Sequence, residues 1–450
     1  MNDYVIPCHV PRADDMRQAA AEWDLGGLPA RLAVVAGARR LVAARAETLA
    51  ATVARPIAET IVAEVLPLLE AARFLEREAP GLLAPRSQRG RRPLWLLGVR
   101  ATLRHERLGA VLILAPGNYP LFLAGAQTLQ ALTAGNAVAL KPAPGGEAAA
   151  HALAAILTEA GLPPGLLHVL DPDAGPDAVA AGFDHIVLTG SAATGAAVLA
   201  AAARSLTPCT MELSGVDAVY VLPGANLGLV ARCLAYGLRL NGGATCIAPR
   251  RVFVTRADAA SLEDRLAALL PGVPDASPPP AIAARLDALA ADALAGGARR
   301  IGDTAPGRPT VLAGARADMA LLHEDVFAPW LALVAVDDAD SGLRDDATCP
   351  YALGASIFGP SEAARALAVR VRAGSVCIND VIVPTADPRL PFGGSGRSGF
   401  GRTRGAEGLL AMTATKTVSE RRGWFRPHLA APGPKDAARF GGMVRWLHGR

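Results

Sequence analysis

The sequence predicts an α/β protein built around a parallel, doubly wound sheet. After about residue 109, short apolar runs such as GAVLILAP and NAVALKPA alternate with helical segments. Strands that alternate with helices in this way are typical of a parallel sheet with helices on both faces. Hydrophobic residues fill 51% of the 450 positions, which is enough for a large core and excludes global disorder.

The N-terminal part is predicted to be helical. Residues from about 15 to 85 are rich in Ala, Leu, Arg and Glu, and their apolar positions recur at helical spacing. Residues 86–92 (RSQRGRR) form a basic break that is typical of a turn. Two strand-like runs, PLWLLGV and ATLRHERL, come next and predict a hairpin.

Two α/β units are predicted after this hairpin. The first contains, in order, the strand GAVLILAP, a helix that ends at Gly135, the strand NAVALKPA, a helix near 147–160 and the strands LLHVL and DHIVLTGS. The second begins after about residue 214 with the strand DAVYVL, a helix at 226–240 and the strand PRRVFV. The runs ALVAV, SIFG and SVCIN predict three more of its strands.

The composition excludes several classes of function. A net charge of +4 and an aromatic content of 4% do not indicate a nucleic-acid-binding protein. The six cysteines form no CxxC pair and the eight histidines do not cluster at metal spacing, so we expect neither a disulfide framework nor a metal site. The first residues lack a secretory signal pattern, and we therefore expect a reduced, cytoplasmic setting. Pro116 and Pro120 interrupt the uncharged window 108–140, which favours a buried βαβ unit over a membrane-spanning helix.

Cys246 is a candidate nucleophile, because two glycines and a threonine precede it in NGGATCIAP. Glycines allow a backbone to approach a ligand closely. A thiolate at this position could attack a carbonyl carbon, with its own backbone N–H directed at the resulting oxyanion. The alternative is a buried structural cysteine, which is the commoner role of this residue type.

Two further residues are placed where they could assist such a nucleophile. Glu212 lies among apolar neighbours at the end of a predicted strand, and a carboxylate in apolar surroundings has a raised pKa that suits a general base. Asn118 lies in a turn directly after a buried strand, where its amide could donate a hydrogen bond to an oxyanion. The alternatives are an ordinary ion-paired glutamate and an asparagine that serves only the turn.

Two glycine-containing turns are candidate phosphate-binding sites. Gly190 and Ser191 lie between a predicted strand and a helix, where free N–H groups suit a pyrophosphate, although any tight strand–helix turn has a similar sequence. The segment GSGRSG at 394–399 matches the pattern GxGxxG. It lies in a predicted loop and lacks the required helix and strand after it, so we do not predict a phosphate site there.

In their order along the chain, these motifs resemble the aldehyde dehydrogenase superfamily. The resemblance rests on APGNYP, LKPAP, LTGSAATG, MELSG, NGGATCIAPRR, HEDVFAP and PFGGSGRSGFGR, and it extends from about residue 15 to residue 420. The stretch ARSLTPCTMELSG and the short N-terminus are similar to the dimeric class-3-like branch.

The resemblance implies an aldehyde dehydrogenase-like α/β fold. A Rossmann-type cofactor-binding domain would comprise residues 1–88 and 109–213, and an α/β catalytic domain would comprise residues 214–400. Residues 89–108 and 413–450 would form a bridging, oligomerising hairpin together with the C-terminal tail. Hairpins of this kind cover an exposed sheet edge by pairing between subunits, so a homodimer is implied.

The resemblance also implies oxidation of an aldehyde to a carboxylic acid, with NAD or NADP as cofactor, through a thioester on Cys246. Glu212 would be the general base and Asn118 the oxyanion-hole amide. The implied cofactor-binding residues are Lys141, Gly190, Ser191, Leu213, Glu324 and Phe327. Lys141 would hold the adenosine ribose, and it is one of only three lysines among 45 basic residues, which indicates a specific role for its compact ammonium group.

The substrate is expected to be an apolar aldehyde. Tyr119, Phe122 and Leu123 follow Asn118 on a helix that the resemblance places along the substrate tunnel. The alternative is that these three side chains belong partly to the core.

Four departures from the family pattern leave other interpretations open. Gly117, Ala244 and Ser214 replace the usual Trp, Gln and Gly of three motifs. Pro144 replaces a Glu that binds the adenosine ribose hydroxyls in many members, and the loss of that carboxylate permits NADP as well as NAD. These changes keep a catalytically impaired binding or scaffold protein of the same fold as an alternative. A second alternative is a hydrolase or reductase that uses the same thiol.

The C-terminal tail is basic and aromatic. The last 32 residues carry seven basic and two acidic side chains, together with Trp424, Phe425 and Trp446. Packing between subunits, or a loosely ordered tail, is the favoured interpretation. The alternative is contact with a membrane surface, which would suit long-chain aldehydes.

Overall fold

The computed structural model describes residues 10–88, 93, 96, 98–424 and 426–449. The chain divides into two units. The first comprises Met1–Leu83 and His105–Ala414, and the second comprises Ala84–Arg104 and Thr415–Arg450. The boundary between a cofactor-binding and a catalytic domain inside the first unit remains a prediction.

Eighteen strands occur in the described residues. They are β1 Arg86–Ser87, β2 Val99–Arg107, β3 Ala110–Leu114, β4 Ala137–Lys141, β5 Leu167–Val169, β6 His185–Gly190, β7 Cys209–Leu213, β8 Asp217–Val221, β9 Pro249–Thr255, β10 Arg299–Ile301, β11 Thr310–Ala313, β12 Trp330–Val336, β13 Tyr351–Ala352, β14 Gly354–Phe358, β15 Ser375–Ile378, β16 Ser395–Gly396, β17 Gly399–Phe400 and β18 Thr413–Arg421.

Sixteen α-helices accompany them in the same part of the chain. They are α1 Ala13–Leu25, α2 Gly27–Ala44, α3 Ala46–Ala50, α4 Ile57–Thr60, α5 Leu66–Leu82, α6 Phe122–Thr133, α7 Glu147–Glu159, α8 Gly175–Ala180, α9 Ala192–Ala202, α10 Leu227–Arg239, α11 Arg256–Leu269, α12 Pro280–Ala295, α13 Ala339–Asp346, α14 Ser361–Ala368, α15 Gly405–Ala411 and α16 Asp436–His448. A π-helical turn at Ile61–Val65 joins α4 to α5.

The first unit contains a six-stranded sheet in the order β17-β7-β6-β3-β4-β5. The five strands from β7 to β5 are parallel, and β17 pairs antiparallel with β7 at one edge. All five side chains of β3 are buried, as expected for a central parallel strand that is covered on both faces. The predicted parallel sheet is confirmed, as is the helix α6, which is followed by Gly135 in the left-handed region at φ 97°.

The same unit contains a seven-stranded sheet in the order β10-β11-β12-β9-β8-β14-β15. All its neighbouring strands are parallel except β10, which is antiparallel to β11. Its core includes Trp330 and the stacked rings of Tyr220 and Phe253, whose centroids are 5.4 Å apart. The strands predicted from DAVYVL, PRRVFV, ALVAV, SIFG and SVCIN are confirmed as β8, β9, β12, β14 and β15.

The second unit contains a three-stranded sheet in the order β1-β2-β18, and here the sequence prediction was wrong. The predicted hairpin required a turn near Arg100, but β2 runs without a break from Val99 to Arg107. Its antiparallel partner is β1, in the segment predicted as a turn, with Arg86 opposite Leu103. The other predicted strand, PLWLLGV, spans residues 93–99. Residues 94, 95 and 97 of this segment lie outside the described residues.

The uncharged window 108–140 forms β3, α6 and β4, with every residue of α6 buried. This confirms the predicted βαβ unit. Across the described ranges, no helix combines the length and apolar character that crossing a bilayer requires. Phe425 of the aromatic tail lies outside the described residues, and α16 in the same tail contributes no buried side chain.

Candidate active site

A cavity of about 690 Å³ opens at the carboxyl ends of β3, β4, β6 and β7. Parallel strands end at the same edge of a sheet, and ligands of such folds bind there. The cavity brings together most of the residues proposed from the sequence: Asn118, Leu123, Lys141, Gly190, Ser191, Glu212, Leu213, Cys246 and Phe327 line it. We call it the sheet-edge cavity.

The start of α9 borders this cavity. Ser191 is the N-cap residue, and its hydroxyl oxygen accepts a hydrogen bond of 3.1 Å from the backbone N–H of Thr194. A Cβ atom at Gly195 would lie 2.8 Å from the side chain of Leu213, so the glycine lets α9 pack closely on β7. The unpaired N–H groups and the positive end of the helix dipole are suited to a pyrophosphate.

Lys141 ends β4 and reaches the sheet-edge cavity from the side. Its Nζ donates a hydrogen bond of 3.3 Å to the carbonyl oxygen of Pro172, and partial burial lowers its pKa. An ammonium group has three donors, so two remain for a ligand.

Glu324 is the one proposed cofactor residue that the structure does not place in the sheet-edge cavity. Its carboxylate forms an ion pair with Arg285. Asp325, the next residue, lines the cavity instead. Glu324 has an extended backbone, with φ −113° and ψ 135°, and successive side chains of an extended segment point to opposite sides. Burial raises the pKa of Asp325 to about 6.

The loop before β9 presents Cys246 to the cavity. Asn241 and Gly242 both have positive φ, at 52° and 55°, and they turn the chain tightly after α10. At Gly243 a Cβ atom would lie 2.5 Å from the Cα of Pro329, so only glycine fits. Arg250 stabilises the same loop, because its Nη2 donates a hydrogen bond to the carbonyl oxygen of Gly243.

Asn118 is held against the Cys246 loop. Its Nδ2 donates a hydrogen bond of 3.1 Å to the carbonyl oxygen of Ala244. The backbone carbonyl oxygen of Asn118 accepts hydrogen bonds from Arg55 at 2.6 Å and from the side-chain amide of Asn241 at 2.9 Å. The amide therefore has a fixed orientation, and one of its two N–H donors is not used in these contacts.

Glu212 is buried on β7, with 3% of its surface exposed. Thr403 donates a hydrogen bond from its hydroxyl to Oε2, whereas Oε1 is buried and has no hydrogen-bond partner among the described residues. Burial raises the pKa of Glu212, and the nearby guanidinium of Arg404 and the Thr403 hydroxyl oppose this shift. A carboxylate with a raised pKa is suited to accept a proton near neutral pH.

The Cys246 thiol has a raised pKa as well. Burial is the main cause, and the negative charges of Glu212 and Asp217 add to it, while Arg404 opposes the shift. The thiolate therefore needs a base to form, and Glu212 lines the same cavity.

A second cavity of about 480 Å³ meets the sheet-edge cavity at three shared residues, Leu123, Glu212 and Cys246. We call it the apolar cavity, because most of its walls are hydrocarbon. Its lining includes the proposed substrate residues Tyr119, Phe122 and Leu123, together with Val62, Pro67, Leu240, Ile247, Ile382, Val383 and Phe392. The Tyr119 hydroxyl lies 2.7 Å from the hydroxyl of Thr245, the residue before Cys246.

Sequence reasoning missed three residues of this site: Asp325, Thr403 and Arg404. Thr403 and Arg404 come directly after the motif PFGGSGRSGFGR, which contributes to the family resemblance but contains none of the proposed site residues. In the structure, β17 pairs with β7 so that Gly399 lies opposite Glu212, and the segment after β17 thereby reaches the carboxylate. A two-residue edge strand has no sequence signal that would fix this register.

Comparison with known proteins agrees with the fold. The model of the aldehyde dehydrogenase family matches residues 11–275 and 281–418. The chain is 30% identical over 415 residues to the 4,4'-diapolycopene aldehyde oxidase of Methylomonas sp, covering 86% of this chain and 77% of that protein.

Two solved structures have the same fold. The NADP-dependent glyceraldehyde-3-phosphate dehydrogenase of Bacillus halodurans C-125, complexed with NADP, superposes with a TM-score of 0.83 at 27% identity, covering 91% of this chain and 90% of that one. The aldehyde dehydrogenase of Mycobacterium tuberculosis, complexed with NAD+, superposes with a TM-score of 0.83 at 26% identity, covering 90% and 88%.

These matches define an oxidoreductase, and the chain belongs to the aldehyde dehydrogenase family. It is an NAD(P)-dependent aldehyde dehydrogenase, which oxidises an aldehyde with NAD or NADP as cofactor. The alternative of an impaired scaffold protein is not favoured by relatives that are named as enzymes.

Proposed function

We propose that this chain oxidises apolar aldehydes to carboxylic acids through a thioester on Cys246. One observation carries the proposal. The sheet-edge cavity and the apolar cavity meet at Cys246 and Glu212, so that two ligands bound from different sides would meet at a nucleophile and a base. The aldehyde belongs in the apolar cavity and the dinucleotide in the sheet-edge cavity.

The residues of the sheet-edge cavity fit a dinucleotide. Lys141 offers donors to a ribose, and Gly190 and Ser191 offer the N-terminus of α9 to the phosphates. Asp325 offers a carboxylate to a ribose hydroxyl beside Phe327, in the role first assigned to Glu324. When bound, the nicotinamide supplies the acceptor for the hydride that leaves the substrate carbon. Residues 1–88 and 109–213 are our proposed cofactor-binding domain.

Both forms of the cofactor are compatible with this cavity. Pro144 leaves no carboxylate that would repel a 2′-phosphate, and Lys141 adds a positive charge near the ribose. We therefore propose that NADP is used at least as readily as NAD.

In the first half of the reaction, Glu212 takes the thiol proton of Cys246 and passes it to solvent, and the thiolate sulfur forms a bond to the carbonyl carbon. The carbonyl electron pair moves onto oxygen, which accepts hydrogen bonds from Asn118 and from the backbone N–H of Cys246. The tetrahedral carbon then loses a hydride, and the C=O bond re-forms as a thioester. The fixed orientation of the Asn118 amide supports this role.

In the second half, Glu212 accepts a proton from water at its unpartnered Oε1. The hydroxide oxygen bonds to the thioester carbon and the C–S bond breaks. The sulfur then takes the proton held by Glu212, and the carboxylic acid leaves with the Cys246 thiol restored. Water and one oxidised cofactor are consumed for each aldehyde, and one reduced cofactor and one proton are released.

The walls of the apolar cavity support an apolar substrate. Tyr119, Phe122 and Leu123 lie along it, and its volume of about 480 Å³ exceeds what a two-carbon aldehyde would fill. The relative named 4,4'-diapolycopene aldehyde oxidase is consistent with an aldehyde of this class.

We also propose that the protein works in the cytoplasm as a homodimer. In the second unit, β18 lies at the edge of its sheet and exposes most of its side chains. A sheet edge of this kind is suited to pair with a second copy. Light scattering after gel filtration tests the dimer, and a monomeric mass at working concentration would contradict it.

A panel of aldehydes from acetaldehyde to hexadecanal, with benzaldehyde, tests the proposed function with each cofactor. The absorbance of the reduced cofactor should rise, most steeply for aldehydes longer than acetaldehyde. Flat traces with every aldehyde, from protein that is folded by circular dichroism, would contradict the proposal. Ester hydrolysis without any cofactor reduction would favour the thiol hydrolase instead.

A further inference from the structure

The apolar cavity contains a buried positive charge. Arg404 is 7% exposed and lines this cavity together with Cys246 and Glu212. Its Nη1 donates a hydrogen bond of 2.8 Å to the carbonyl oxygen of Thr385. Its Nε is buried without a hydrogen-bond partner, and Nη2 makes no hydrogen bond within the described residues. Because Nε is enclosed by protein atoms, Nη2 is the nitrogen left to donate a charge-assisted hydrogen bond to a carboxylate in the cavity.

Arg404 also lacks an ion pair. No carboxylate oxygen of the described residues lies within the 4.0 Å salt-bridge distance of its nitrogens. A guanidinium stays protonated in proteins, although burial lowers the pKa of Arg404. A buried charge without a partner is costly, and buried charges are normally paired. The protein therefore keeps a cation in this cavity that only a ligand would fully pair.

The other buried arginines of the described residues show the contrast. Arg31 and Arg251 form ion pairs with Asp24 and Asp346, and the latter pair is 2.7 Å long. Arg250 donates hydrogen bonds to three carbonyl oxygens. Arg404 has a single carbonyl partner, and it is the member of this group whose side chain lines the apolar cavity.

The surroundings hold the guanidinium in place. It lies 4.1 Å from the ring centroid of Phe392 and 5.6 Å from that of Phe122, both of which line the cavity. The backbone of Arg404 has φ 59°, in the left-handed region that residues with a side chain rarely adopt. Strained backbones of this kind cluster at ligand sites, where surrounding contacts maintain them.

We propose that Arg404 is a specificity-determining residue that binds a carboxylate on the substrate. The preferred substrates would then be aldehydes whose apolar carbon chain ends in a carboxylate, and the hydrocarbon walls would hold the methylene groups between the two ends. This inference rests on the proposed function and names its substrate class. Arg404 also lies near the charges of Glu212 and Cys246, and a purely electrostatic role there would affect every aldehyde alike.

Matched pairs of substrates separate the two roles. We compare butanal with 4-oxobutanoate, hexanal with 6-oxohexanoate and nonanal with 9-oxononanoate. At the best chain length, the wild type should favour the carboxylated member about tenfold or more in kcat/KM, because charge-assisted hydrogen bonds are the strong ones. Arg404→Leu should lower kcat/KM for that member about 10- to 100-fold more than for the neutral member, and this difference should appear mainly in KM. A smaller loss of kcat is expected for both members, because the charge of Arg404 opposes the raised pKa values of Glu212 and Cys246.

Two further variants sharpen this comparison. Arg404→Lys keeps the positive charge but loses the planar guanidinium and its Nη2 donor, so it should retain part of the preference. Arg389→Leu is the matched control, since Arg389 is an exposed residue that pairs with Asp387. It removes one positive charge from the same segment and should leave the substrate ratio unchanged.

The proposal is overturned if the wild type favours the neutral aldehyde at every chain length. It is also overturned if Arg404→Leu lowers kcat/KM by the same factor for both members, because Arg404 would then act only on Glu212 and Cys246. Binding without turnover is tested by the protection of Cys246 from alkylation by iodoacetamide. Adipate is the protecting ligand, and its uncharged diamide is the comparison. Adipate should protect wild type and fail with Arg404→Leu, and equal protection of both proteins would contradict the inference even if no aldehyde reduces a cofactor.

Discussion

The two cavities that meet at Cys246 differ in how their residues are arranged along the chain. The sheet-edge cavity is built largely from turns that directly follow β3, β4, β6 and β7, so many of its residues lie beside a recognisable strand. The apolar cavity gathers side chains from α4, α6, α10 and the segment 382–404, which lie far apart in sequence. The difference teaches that a cofactor site at a sheet edge can be recognised locally, whereas a substrate site depends on tertiary packing.

Cys246→Ala should have the largest effect, because this residue belongs to both cavities. Loss of the nucleophile is expected to reduce kcat by roughly 10⁴-fold or more. The measurement is cofactor reduction with the best aldehyde, from protein whose thermal unfolding matches that of the wild type. Cys233→Ala is the control, since Cys233 lies on α10, lines neither cavity and should keep its activity.

Glu212→Gln should have the next largest effect. Removal of a general base is expected to lower steady-state turnover about 10²- to 10⁴-fold. In the wild type, activity should fall as the pH drops through the pKa of Glu212, because protonation removes the base. Burial raises that pKa, so the midpoint should lie above the ordinary value of about 4.3. Glu407→Gln, at an exposed position of α15, should leave the profile unchanged, and a wild-type midpoint at or below the ordinary value would contradict the assignment.

Thr403→Val should have a smaller effect through the same carboxylate. Its hydroxyl donates to Glu212, and a donor stabilises the charged form of an acid. Its loss is expected to raise the pKa of Glu212 further, to shift the acid limb of the pH profile upwards and to lower kcat about tenfold. Thr158→Val is the control, because that hydroxyl bonds only to the carbonyl oxygen of Ala154 on α7. An unchanged pH profile in Thr403→Val would remove Thr403 from the site.

Asp325→Asn should have the smallest of these effects and is confined to the sheet-edge cavity. We expect the KM for the cofactor to rise about fivefold, which corresponds to about 1 kcal/mol, because the amide oxygen of Asn can still accept a hydrogen bond but carries no charge. The pKa of Asp325 is raised to about 6, so the wild-type KM should also rise as the pH falls below that value and the carboxylate is neutralised. Glu324→Gln is the matched neighbour. If it raises the KM while Asp325→Asn does not, the original assignment to Glu324 is restored.

Most of the fold follows from the sequence because buried parallel strands are recognisable as continuous apolar runs. The predicted strand around GAVLILAP and the helix before Gly135 are both present as β3 and α6. The hairpin prediction was wrong because β2 continues through Arg100 without a turn. The pairing of β2 with β1 depends on a register that the local sequence does not specify. The sequence predicts Glu324 as the cofactor-binding carboxylate, but its neighbour Asp325 lines the cavity. Two adjacent acidic residues cannot be told apart from the sequence, because the choice depends on which side of the extended backbone faces the cavity.

The substrate side of the site was predicted least completely. Tyr119, Phe122 and Leu123 follow Asn118 closely in the sequence and could be proposed together. Tyr119 lies in the turn before α6, not on the helix as predicted, whereas Phe122 and Leu123 begin α6. Arg404 and Thr403 reach the site only because the short strand β17 lies beside Glu212. A cation inside an apolar cavity has no local pattern, so the chemistry that it adds became visible only in the folded chain.

The most direct test of the account is to trap the acyl group on the enzyme. The Glu212→Gln protein is mixed with a good aldehyde and the cofactor, and the reaction is quenched with acid within the first turnover. The protein is then digested, and the peptide masses are measured by mass spectrometry. The account predicts one equivalent of reduced cofactor and a matching acyl mass on the peptide that contains Cys246. An acyl mass on another residue, or sustained turnover without any adduct, would contradict a thioester at Cys246.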